Sequence, residues 1–83
     1  MEWKKITDLS GMDFNKSILV LFRNVKRRIN YTKKGFFIPP AEGSMDLRIN
    51  FDLGTIQTIK ALMNDKYDRL THWMKIEEPK DSE

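Results

Sequence analysis

Five large apolar residues in unbroken succession, Ile18 to Phe22, constrain this chain more than any other feature. The run is too short for a buried helix and far short of the ~20 residues that cross a bilayer. Its mixture of isoleucine, leucine, valine and phenylalanine, set between Ser17 and Asn24, suits a strand covered on both faces. Burying each such side chain stabilises a fold by about 1.5–3 kcal/mol, so the rest of the chain is expected to supply the cover. Ile18, Val20 and Phe22 or, in the opposite phase, Leu19 and Leu21 should pack with Leu47, Ile49, Ile59 and Leu62. On that basis Leu21→Ala is expected to cost about 2–5 kcal/mol.

With 83 residues there is room for one small core. Residues 1–76 read as a single globular domain, and 77–83 as an acidic tail, interrupted by Pro79, that should fray. Cysteine is absent, which excludes disulfides and thiolate metal sites and points to the reducing cytoplasm. No basic leader followed by an apolar stretch opens the chain, and no membrane partner is expected.

On either side of the central run the pattern is shorter-ranged. Trp3 and Ile6 are expected to pack on the core, and Ser10-Gly11 to turn the chain. Val25–Thr32 alternates as a strand with a wetter face carrying Lys26 and Arg28, and Lys33-Lys34-Gly35 reads as a turn. Phe36–Ile38 forms a short strand that Pro39-Pro40 ends. Met45–Phe51 alternates cleanly, with Met45, Leu47, Ile49 and Phe51 on one face. After Gly54, Thr55 can cap a helix of about three turns carrying Ile56, Ile59, Leu62 and Met63, with Asn64 as a left-handed terminus. Leu70–Ile76 fits a strand or a continued helix equally well. The expected fold is α+β: a small antiparallel sheet of about four or five strands with one helix packed on a face.

Thr71-His72-Trp73-Met74, followed by Glu78-Pro79, resembles the closing signature of small phage and prophage proteins grouped as domain of unknown function 551. Members end in T-H-W-M and a proline-rich run. They open with a tryptophan and a Leu-Pro pair, then a Val-Leu-Val strand. Trp3, Leu9 and Ile18–Leu21 fall in that order here. Lys75, Glu77 and Lys80 stand where the family has prolines, Ser10 replaces the proline after Leu9, and Thr55–Asn64 is an insertion. The resemblance implies a phage or prophage origin, a mostly β fold and a strand at Leu70–Ile76. It implies no activity, because the family has none assigned.

Chemistry-bearing residues are sparse. His72 is the only histidine, and no motif places a nucleophile or acid beside it. The four glycines are not spaced as a phosphate-binding loop requires, and without cysteine a transition-metal site would need clustered carboxylates. Neither an enzyme nor a cofactor is expected. Charge is the stronger signal. No acid occurs from Phe14 to Ala41, whereas Arg23, Lys26, Arg27, Arg28, Lys33 and Lys34 fall there among Tyr31, Phe36 and Phe37. Those nine residues are the expected partner-binding set. Cations beside aromatics suit single-stranded nucleic acid. They equally suit an acidic protein surface, or a solvated strand edge that deters aggregation. Alternation separates Arg27 from its neighbours, which favours a protein over nucleic acid. The expected function is therefore that of a small phage-encoded accessory protein in an infected bacterial cytoplasm. It binds and inhibits a host protein complex, such as one of defence or transcription, with nucleic-acid binding through Arg23–Lys34 as the alternative.

Overall fold

The computed structural model describes residues 2–51 and 54–76, so the expected tail 77–83 lies outside the described residues. Six strands are present: β1 (Lys4–Lys5), β2 (Ser17–Asn24), β3 (Ile29–Ile38), β4 (Arg48–Phe51), β5 (Thr55–Thr58) and β6 (Asp68–Lys75). They form one antiparallel sheet in the order β1-β6-β2-β3-β4-β5, one strand more than the periodicity suggests. The apolar run lies in β2, flanked by β6 and β3. From the β5 edge, α1 (Ile59–Met63) begins the return to β6, beside β2.

Register fixes the two faces of the sheet. Ile18, Val20 and Phe22 join Phe37, Ile49, Phe51, Leu70 and Trp73 in a core that Ile59 and Leu62 of the helix and Ile6 of the N-terminal arm cover. Leu9, Met12 and Leu47 pack at its margin. Thr71 is the point where this pattern departs from strict alternation. Leu21 pairs with His72 but Phe22 pairs with Leu70, so Thr71 is an extra residue in β6. Such a bulge puts Leu70 and Trp73 on the same face although they are three apart. That is why period-two reading separates them and cannot distinguish strand from helix here.

Local sequence explains the other departures. Residues 25–28 form the β2–β3 turn instead of a strand: Asn24 Oδ1 accepts from Arg27 N at 2.7 Å, and Arg28 takes a positive φ of 58°. β3 then runs unbroken through Lys33-Lys34-Gly35, which is strand and not turn. The first part of the predicted three-turn helix is strand. Thr55–Thr58 pairs with β4, and the helix keeps five residues, capped by Thr58, whose hydroxyl accepts from Ala61 N at 3.1 Å. Asn64 ends it at φ −105°, outside the left-handed region. Trp3, expected in the core, is 40% exposed, while Ile6 is buried.

Candidate docking face

The second face of the sheet has no helix over it among the described residues. Pairing places Leu19 and Leu21 of β2, Phe36 and Ile38 of β3, Ile56 of β5 and Met74 of β6 there. None of them belongs to the core cluster. Leu19, Leu21, Phe36 and Ile38 are half-buried by their neighbours alone, Met74 is buried, and Ile56 is exposed. The two-sided burial expected of the central run therefore holds on one side only. Leu21, in consequence, is not a core residue, and Leu21→Ala should cost nearer 1 kcal/mol than the 2–5 kcal/mol of a buried leucine.

Charge on this face has one sign. The six strands carry eight lysines and arginines and a single acid, Asp68. Asp68 pairs with Asn24 and accepts from its Nδ2 at 2.7 Å, in phase with Phe22 and Tyr31 on the covered side. Lys5, Arg23, Lys34, Arg48 and Arg69 fall, by register, on the open side. Arg23 and Arg69 are directly opposite each other across two strands. Like charges so placed weaken a sheet. Arg69 Nε donates to Asp65 O at 3.2 Å, near that residue's carboxylate, and Arg23 Nη1 donates to Asn30 Oδ1 at 3.3 Å.

The nine expected partner-binding residues are dispersed. Arg23, Lys34 and Phe36 lie on the open face. Lys26, Arg27 and Arg28 form the exposed tip of the β2–β3 hairpin, beyond that face's Arg23. Lys33 turns to the covered side, with Nζ 5.6 Å from the Phe22 ring and 5.5 Å from the Phe51 ring. Tyr31 stacks on Phe22 at 5.4 Å between ring centres, also on the covered side. Phe37 is fully buried, at 0% exposure, and is corrected from docking residue to core: its ring meets Trp73 edge-on at 5.2 Å. Sequence reading misses Lys5, Leu19, Leu21, Arg48 and Arg69 as residues of this open face. The signal for the two leucines was the apolar run itself, read as buried on both sides.

Beside the covered core, a recess of about 510 Å³ is lined by the apolar Phe22, Phe51 and Leu62 and by the polar Tyr31, Lys33, Lys34, Thr55, Gln57, Asp65 and Asp68. Its two acids and its phenol already have partners. Asp65 Oδ2 accepts from Tyr67 N and Asp68 N at 3.0 and 2.8 Å, which holds its carboxyl below the usual range. Burial, then the hydrogen bond and charge of Asp68, push the Tyr31 phenol up to about 12. A folded state that holds this proton above the ordinary value of 10 loses stability as pH rises from 10 through 12, because the unfolded chain releases it first. Ultraviolet difference titration should accordingly show one tyrosine ionising near 12, and Tyr31→Phe should remove that step.

His72 sits on the open face, half-buried, with Nδ1 3.0 Å from Thr71 Oγ1. The Thr71 hydroxyl donates to Leu21 O at 3.1 Å, so the ring nitrogen is the donor of the pair. No acid or nucleophile completes a relay there, and no group of three metal-ligating side chains occurs among the described residues. No helix among them is long and apolar enough to cross a membrane. Compared with known proteins, the chain matches no family model, no curated protein and no solved structure.

Proposed function

We propose that this chain is a non-enzymatic docking domain: a small phage-type accessory protein that binds a host protein complex through its open sheet face and inhibits it. One observation carries the reading. The apolar run of β2 has its second set of side chains, Leu19 and Leu21, on a face that no described element covers. A sheet face bearing half-buried aliphatic residues gains by burial against another layer. The THWM resemblance supports the phage assignment, and the cationic rim supports an acidic partner.

Nucleic acid is the competing reading, and the hairpin tip Lys26, Arg27 and Arg28 is the observation that favours it. Against it, Phe36 is the sole aromatic ring besides His72 that the described strands turn to the open face. Stacking on successive bases needs more rings than that.

The test is capture from bacterial lysate, with and without nuclease, by three full-length forms. These are the wild type, a Leu19→Gln/Leu21→Gln form, and a Lys26→Ser/Arg27→Ser/Arg28→Ser form, each shown to melt cooperatively. Nuclease-resistant capture of one protein complex, lost in the leucine form and retained in the tip form, is the expected result. Capture that nuclease abolishes, or that only the tip form loses, would overturn the proposal.

A further inference from the structure

The open face has a shape and a charge pattern, and together they define the chemistry of what covers it. Its apolar residues run across the strands. Met74 pairs with Leu19, and His72 with Leu21, while Phe36 pairs with Asn50 and Asn50 with Ile56. Arg23 and Arg69 stand at the hairpin end of this band, Lys34 lies within it opposite Leu19, and Arg48 lies beyond Phe36, opposite Ile38. Lys5 closes the β1 side, opposite His72. An apolar band bordered by cations is complementary to an apolar stripe bordered by carboxylates.

Resting on the docking reading above, we infer that the open face binds an acidic amphipathic helix of the partner protein. Its apolar stripe covers Leu19, Leu21 and Phe36, beside the already buried Met74, and its carboxylates meet Arg23 and Arg69. The occupant completes a helix–sheet–helix sandwich, since α1 already covers the opposite face. Dimensions agree. Neighbouring strands lie about 4.8 Å apart, so crossing from β6 to β4 takes about 14 Å, the length of a helix of about ten residues. An apolar stripe one-third of the way round such a helix matches a band of this width.

Charge excludes a second copy of this chain as the occupant. Two such faces would bring five cations against five, with no acid from the described strands between them. For an acidic partner the same five cations are favourable, and the opposed Arg23 and Arg69 gain most. Each relieves the other's repulsion by sharing a carboxylate.

Synthetic peptides and the full-length chain test this directly. The probe is a helix of about 15 residues with leucines at i, i+3, i+4 and i+7 spacing and glutamates flanking them. Its controls are a scramble of the same composition, a version with lysines for the glutamates, and an oligothymidylate of similar length. Fluorescence anisotropy should give the acidic helix at least about tenfold tighter binding than either peptide control. Amide chemical-shift changes should centre on Leu19, Leu21, Phe36 and Met74. Arg23→Ser/Arg69→Ser should weaken binding about five- to tenfold, and added salt should weaken it too.

Equal binding of the scramble overturns the inference, as does a shift map centred on α1 and β5, or concentration-dependent self-association that the leucine changes abolish. So does tighter binding of the oligothymidylate than of the acidic helix. If the Leu19→Gln/Leu21→Gln form loses its captured complex while no peptide outbinds its scramble, the docking reading stands and the helical acidic partner falls.

Discussion

Replacing Trp73 by alanine is expected to lower stability by about 3–5 kcal/mol, enough to unfold much of a domain of this size. Trp73 is 1% exposed, the largest side chain buried so completely. It sits opposite Val20 of the central strand and presents its ring to the edge of Phe37. It also fastens the N-terminal arm. Its Nε1 donates to Asp8 O at 2.8 Å, and Lys4 Nζ lies 5.5 Å from its ring centre. Alanine would leave a void at the junction of arm and sheet and free the segment that carries Ile6. Trp73→Phe separates the two roles. It keeps most of the packing and loses the indole hydrogen bond, and should cost about 1–2 kcal/mol. Urea denaturation followed by circular dichroism measures both. A Trp73→Ala midpoint within error of the wild type would show that the arm and β6 are not part of one core.

How much of this was legible depends on range. β2 was plain because five apolar residues in a row satisfy the strand criterion without help from neighbours. The alternation of Leu47, Ile49 and Phe51 was likewise local and correctly phased, although β4 begins only at Arg48 and Met45 is almost fully exposed. Thr55–Thr58 was misread because Ile56 and Ile59 have helical spacing. Pairing with β4, a tertiary effect, makes the first of them strand. The bulge at Thr71 defeated period-two reading of β6, and the family resemblance supplied the strand instead. The open face was hidden for a related reason. Its residues come from all six strands, and an apolar run cannot say whether its second cover is in the same chain. The cations were visible as a cluster in sequence, but alternation and the hairpin sent Lys33 to one side and Arg23 and Lys34 to the other. Composition recorded their number, and only register recorded their face.

Gly35 gives the other large expected effect, and its reason differs from the turn its neighbours suggest. The residue lies inside β3, buried, opposite Ile18 on one side and Phe51 on the other. A Cβ placed there would stand 2.8 Å from Asn50 O, 3.2 Å from Ile49 Cγ2 and 3.3 Å from Phe51 Cδ1. The first contact is with backbone that the β3–β4 ladder holds, and Ile49 is fully buried, so neither can yield cheaply. Removing glycine ordinarily stabilises a strand by about 0.4–1 kcal/mol through the unfolded chain. Overpacking of about 1–3 kcal/mol exceeds that gain, so Gly35→Ala should be net destabilising. Gly35→Val adds two methyl groups to the same crowded spot and should push β4 off β3, costing more than alanine despite valine's strand preference. Thermal melts should rank wild type above alanine and alanine above valine. Gly54, where a Cβ meets nothing within 4 Å but φ is +84°, serves as the control for conformational strain alone. Gly54→Ala should lower the melting temperature without changing the amide shifts of β3, whereas Gly35→Ala should shift Asn50 and Phe51. A Gly35→Val chain as stable as the wild type would mean that β3 and β4 do not approach as closely as their register requires.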